Sequence, residues 1–265
     1  MAYDDLVPDL ERANAARMYD YLLGGAHNFA VDREAADRAL TRRADLAEVA
    51  RANRRFLARA VRWCLDHDVD QFLDLGSGVP TVGNVHEIAH GYAPGARIAY
   101  VDIEPVAVAA GRSLVSGSDL VTVTHGDLRQ PDSVLGAPTV AGLLDLTRPV
   151  AVLAVAVLHF VPGDRTALLD GYRRALAPGS VLALSHGSDD VDDPELAARV
   201  RAGVEAYRGT ASEAHLRTRA EIVDALGGED RLVPPGLVEL EDWPVPQSAR
   251  PGTGMFGALS RLGAG

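Results

Sequence analysis

The chain contains no lysine; all 26 of its basic residues are arginine. That absence excludes a Schiff-base lysine and a phosphate-binding loop of the G-x-x-x-x-G-K-[ST] type, both of which need a primary amine. There is one cysteine, Cys64, which excludes a disulfide framework and a thiolate metal cluster. Long apolar runs are also missing. The longest, residues 150–158, has nine residues, whereas a membrane span needs about 20. The opening Met1-Ala2-Tyr3-Asp4-Asp5 is acidic with no apolar stretch behind it. A secretory leader reads differently, so the cytoplasm is the expected compartment and no membrane partner is expected. Positive charge is in deficit too: 26 basic against 37 acidic residues gives a net charge of −11. Nucleic acid is therefore disfavoured as a partner.

The 265 residues, 47% of them hydrophobic, suffice for one large domain or two small ones. Residues 12–66 read as helical. Residues 70–187 alternate short β-rich runs with helix-like stretches, residues 192–226 read as helical again, and residues 231–262 read as two strands around a proline-rich turn. Strands are expected at 71–75, 96–102, 120–125, 150–157 and 180–185, with helices at 83–91, 105–116, 131–146 and 164–177 between them. The run 150–158 is apolar on both faces, as a central strand covered on both sides should be. Such alternation predicts a parallel sheet with right-handed crossovers. Ligands of such sheets bind beyond the carboxyl ends of the strands, so the residues after each strand carry the functional signal.

After the first strand comes Asp74-Leu75-Gly76-Ser77-Gly78-Val79-Pro80-Thr81. Gly76 and Gly78 allow a tight turn and a close backbone approach to a ligand. Thr81 and Pro80 depart from the dinucleotide fingerprint, which needs a third glycine. Asp102 ends the second strand, about where a carboxylate accepts from a ribose diol; Asp102 or Glu104 can equally cap the helix that begins at Pro105. After the third strand, Asp127 can accept from an exocyclic amine such as adenine N6, and it can also form an Asx turn before Pro131. His159 ends the apolar fourth run, either as a packed core group or as a proton acceptor facing the ligand. His159, His186 and Asp189 lack tight ligand spacing, so no metal is expected.

In this order the segments resemble the class I S-adenosylmethionine (SAM)-dependent methyltransferases. Ala16-Arg17-Met18-Tyr19-Asp20-Tyr21-Leu22-Leu23-Gly24-Gly25, Asn28-Phe29-Ala30-Val31-Asp32-Arg33-Glu34 and Gly83-Asn84-Val85-His86-Glu87 narrow the likeness. They are similar to a methyltransferase family of high-GC bacteria long catalogued only as a domain of unknown function. The resemblance implies a Rossmann-like fold of class α/β. Its seven-stranded sheet is mostly parallel with an antiparallel last strand, and a helical N-terminal extension or lid (residues 1–68) precedes the cofactor domain (69–265). It implies SAM as cofactor and S-adenosylhomocysteine (SAH) as product. Arg17, Tyr19, Tyr21, Gly24, Gly76, Ser77, Gly78, Asp102, Ile103, Asp127, Leu128 and Ala156 are then the expected cofactor residues. In the lid reading, Tyr19 and Arg17 close over the sulfonium and the carboxylate.

His159 is the first choice of general base, with His27, Tyr19 and His186 behind it. The expected acceptor is the O or N of a small molecule, with a homodimer left open. The alternatives are a non-catalytic SAM or SAH binder and an RNA or protein methyltransferase. The last would use Arg51, Arg54, Arg55, Arg59 and Arg62, which fall at helical spacing and otherwise form a solvated face.

Overall fold

The structure, a computed structural model, describes residues 7–246 and 252–263; the parts of the expected divisions 1–68 and 69–265 at residues 1–6, 247–251 and 264–265 lie outside the described residues. Three helices come first: α1 (Ala15–Leu22), α2 (Ala30–Arg42) and α3 (Leu46–Asp66). Then strands and helices alternate: β1 (Gln71–Leu75), α4 (Val85–Tyr92), β2 (Arg97–Asp102), α5 (Pro105–Leu114), β3 (Val121–His125), α6 (Pro131–Leu135), α7 (Pro138–Ala141), β4 (Ala151–Val155), α8 (Arg165–Arg173) and β5 (Val181–Gly187). The chain closes with α9 (Pro194–Glu205), α10 (Arg219–Ala225), β6 (Val238–Glu239) and β7 (Met255–Arg261).

The seven strands form one sheet in the order β3-β2-β1-β4-β5-β7-β6. β1 to β5 pair in parallel, and β7 runs antiparallel to both β5 and β6. The parallel part is what the alternation predicts, and the antiparallel last strand is what the resemblance to class I methyltransferases implies. The order reverses between β1 and β4, and a crevice opens there at the strand ends.

Side-chain alternation divides the sheet between two apolar layers. Phe72, Ile98, Leu153 and Ala183 pack with α3, α4 and α5, whereas Leu73, Val101, Val152 and Leu182 pack with α6, α7, α8 and α10. Within the expected 1–68 extension, α3 joins the first layer through Phe56, Leu57, Val61 and Cys64. Met18 and Leu22 of α1 form a separate small cluster with Ala35, Ala36 and Ala39 of α2 and with Leu46 and Ala50 of α3.

Several expected spans differ. The stretch 192–226, expected to be helical, is helical only in α9 and α10, with turns and loop at 206–218 between them. β4 stops at Val155 rather than 157, because Ala156 takes a left-handed φ of 56° and turns the chain out of the strand. The single helix expected at 131–146 is two short ones. Pro138 has no N–H to continue a helix and instead starts the second. Of the two strands expected within 231–262, the first is reduced to Val238–Glu239 and a bridge from Leu232 to Ser260. Between them Pro234 and Pro235 have no donors for a ladder.

Candidate functional site

A cavity of about 370 Å³ opens at the carboxyl ends of β1, β2, β3 and β4 and is roofed by α1, α3 and α9. Its floor is the turn after β1. Gly76 has φ 66°, and a Cβ there would lie 2.2 Å from Val157 Cγ2, so only glycine fits. Gly78 has φ 68° with open space on its Cβ side, leaving the backbone bare for a ligand.

Asp102 secures this turn. Its Oδ2 accepts from Gly78 N at 2.7 Å and its Oδ1 from Glu104 N at 2.8 Å. Burial raises its pKa, and the N–H groups of Glu104, Gly78 and Ile103 pull it back. Each oxygen keeps a further lone pair, so ribose binding and the structural role are compatible. Asp127 lies on the cavity wall in a bidentate pair with Arg129, at 2.9 Å to Nε and 2.6 Å to Nη2. That guanidinium holds its carboxyl below the ordinary range. Leu128 keeps its place through its carbonyl, which accepts from Tyr172 Oη at 2.7 Å.

The far wall holds His159, whose ring meets that of the buried His186, outside the lining, edge to face at 5.4 Å. His186 is buried. Its Nδ1 is 2.8 Å from Gly187 O and so carries the proton, which makes Nε2 the acceptor. Nε2 of His186 and Nδ1 of His159 are both buried without a hydrogen-bond partner. Burial pushes His186 down to about 4 and His159 well below its ordinary value, and the neighbouring cations act in the same direction. Both rings are therefore neutral at physiological pH.

Above the cavity a polar chain connects roof to sheet. Ala156 N–H donates to Ser185 Oγ at 2.8 Å, and that hydroxyl donates to Asn53 Oδ1 at 2.6 Å. Asn53 Nδ2 donates to Tyr19 Oη at 3.0 Å, and Tyr19 Oη donates to Ala50 O at 3.0 Å. Tyr19 lines the cavity, but its hydroxyl is fully engaged and burial raises its pKa. It offers the ligand a ring rather than a base.

Of the expected residues, Tyr19, Gly76, Ser77, Gly78, Asp102, Ile103, Asp127, Leu128, Ala156 and His159 line this one cavity. Four do not. Arg17 is wholly buried; its Nε bonds Asp32 at 2.8 Å, its Nη1 bonds Glu104 at 2.8 Å, and its Nη2 bonds the carbonyls of Asp9 and Arg12. It is a latch between α1, α2 and the end of β2, with no fork free for a ligand. Tyr21 donates to Asp37 on the outside of the helix pair. Gly24 and His27 are exposed on the loop after α1. The spacing of a helix places neighbours in sequence on different faces, so the motif holding Arg17 to Gly24 cannot all face inward.

Two cavity residues lacked an assigned role in the sequence. Asp74, at the end of β1, faces the α3 layer, and burial pushes its carboxyl up to about 7 against the pull of Arg54. Arg54 itself belongs to the expected arginine face. It stands four residues after Ala50 and three before Leu57, both buried, and this spacing could have identified it as inward-facing. The other arginines are engaged elsewhere: Arg51 with Glu48, Arg55 with Glu48 and Glu241, Arg59 with the carbonyls of Trp243 and Leu240, and Arg62 with Asp66. Among the described residues no group of three or more His, Cys, Asp or Glu could hold a metal, and no helix is long and apolar enough to cross a membrane.

The cradle fits an adenosyl amino acid. It has bare glycine backbone, acids at the ends of β2 and β3, and an orphaned guanidinium nitrogen, Arg54 Nε. Comparison with known proteins agrees. A family model described as S-adenosyl methyltransferase matches residues 5–262. A Thermobifida fusca structure assigned to the methyltransferases is 35% identical, with a TM-score of 0.89 and 97% of each chain covered. A DUF574 family protein from Streptomyces avermitilis is 34% identical, with a TM-score of 0.87, covering 96% of this chain and 99% of its own. The pyocyanin biosynthetic protein PhzM, at 18% identity and a TM-score of 0.53, shares the fold. No match to a curated protein is found.

Proposed function

The chain belongs to the S-adenosyl methyltransferase family, and from that premise we propose that it methylates an oxygen or nitrogen of a small, largely apolar acceptor, with His159 taking the proton. The observation that carries this reading is the buried, unpartnered Nδ1 of a neutral His159 on the wall of the cofactor cavity. SAM supplies an electrophilic methyl on a sulfonium. Gly76, Gly78 and Asp102 would hold its methionine and ribose ends and Asp127 its adenine.

The chain's own work is then positioning and proton transfer. With SAM bound as methyl donor, the acceptor would lose its proton to His159 as it is methylated. From there the proton is released to water, since an imidazolium next to His186 in this buried setting is disfavoured. Phe160, Val204, Tyr207, Leu216 and Met255 line the same cavity, and they favour an acceptor with an apolar body. Residues 1–68 would act as the lid over the domain at 69–265, with α1 and α2 as the part that opens. This is supported by their separate apolar cluster.

The test is incubation with methyl-labelled SAM and an extract of the native host, followed by mass spectrometry of labelled products. The parent should label a small molecule. His159→Asn should bind SAH as the parent does but label it about 10²–10⁴-fold more slowly. An unchanged rate in His159→Asn would remove the base, and label found only in RNA or protein would remove the acceptor class.

A further inference from the structure

The roof of the cavity carries a cation that the fold leaves half used. Three arginines line the cavity: Arg43, Arg54 and Arg129. Arg129 is spent on Asp127, at the end where adenine would lie. Arg43 is spent on Asp45 and on the carbonyl of Thr253. Arg54, on α3, donates through Nη2 to the carbonyls of Val82 at 3.2 Å and Gly83 at 2.5 Å. Its Nε is buried without a partner.

A buried donor left unpaired is costly, and a bound group that accepts from it removes the cost. The side chain is placed where an amino-acid tail would end. Its charge acts on Asp74 beside the glycine turn and on Tyr19 of the roof. A guanidinium presents adjacent donors in one plane, which match the two oxygens of a carboxylate. With the Asp74 carboxylate on the same wall, the site has one cation and one acid, as the zwitterionic end of an amino acid requires.

We propose that Arg54 receives the α-carboxylate of the cofactor's methionine portion, through the Nε and Nη1 donors left open while Nη2 serves the Val82 and Gly83 carbonyls. The inference rests on the methyltransferase reading of the cavity. It moves the carboxylate contact from Arg17, which the resemblance suggested, to a residue outside the resembling motifs. Arg54 thereby holds two things at once: the loop after the glycine turn and the tail of the ligand.

The two roles separate in a ligand series read by isothermal titration. SAH is compared with its decarboxylated analogue, S-adenosyl-3-thiopropylamine, which keeps the adenosine, the thioether and the amine. Arg54→Gln should lose about 10- to 100-fold in SAH affinity, as for loss of charge-assisted hydrogen bonds, while the analogue changes little. The parent's preference for SAH over the analogue should vanish in the variant. Arg54→Lys keeps the charge without the fork and should fall between; it also serves if Arg54→Gln does not fold. Equal losses for both ligands would reduce Arg54 to a prop for the loop and overturn the proposal, as would unchanged SAH affinity. If the parent itself binds neither ligand, the cofactor reading fails, a result distinct from the failure of Arg54 alone.

Discussion

At the scale of the residue, the site is costly to the protein that carries it. Asp74 has its folded pKa raised to about 7 by burial. The stability of the folded state is therefore fully present below the unfolded value of about 4 and is lost as pH rises toward 7. Asp74→Asn stays neutral throughout. It should exceed the parent in stability at pH 8, by up to about 4 kcal/mol, and match it near pH 4. His186 works in the opposite sense. Its folded pKa of about 4 lies below the unfolded value, so stability is lost as pH falls from about 6.5 through 4. His186→Gln should flatten that acid limb. Urea melts of the three proteins at pH 4.5, 6 and 8 check both signs. Because the two slopes oppose each other between about pH 4 and 6.5 and largely cancel in the parent, each is read from its own variant, and a variant whose stability runs parallel to the parent's across this range would mean that its group is unperturbed.

At the scale of the element, α1 is held by charge as much as by packing. Arg17 compensates two carboxylates with almost no exposure, Asp32 of α2 and Glu104 at the end of β2. Arg17→Met leaves both uncompensated and should cost about 3–5 kcal/mol, the range for breaking a buried pair from one side. Urea denaturation reads this directly. If Arg17 instead reached the cofactor, Arg17→Met would weaken SAH binding while leaving stability intact. The motif residues of α1 were legible only through resemblance, and the role they suggested was different. In sequence a buried arginine with two acidic partners, 15 and 87 positions away, has the same letters as a ligand-binding one.

At the scale of the whole molecule, the cofactor should act as a structural partner. It would bridge the ends of β1, β2 and β3 to the roof helix α3, so it can bind only the folded chain. At about 100 times its Kd, SAH should add about 2.7 kcal/mol of stability. For a domain of this size that is a rise in Tm of about 5–10 °C. NAD at the same concentration should add nothing, because Pro80 and Thr81 stand where a dinucleotide loop needs glycine. Thermal melting with each ligand is the check, and an equal shift with NAD would contradict the assignment of the cavity.

The sequence by itself determined the sheet and the residues at its edge. Runs of β-branched and apolar residues alternating with helical stretches permit little else. The turn glycines and the acids after β2 and β3 are local signals, because each acts through its own strand end. The tertiary structure decided everything that depends on distant segments meeting. It placed Arg17 in a latch, turned Arg54 into the cavity, paired Asp127 with Arg129, and set His159 against His186. It also ended β4 two residues early, by holding Ala156 in a left-handed turn through Ser185 on the neighbouring strand. Hydrophobic periodicity specifies which face of an element is buried; which charge lies across the gap is fixed only when the elements pack.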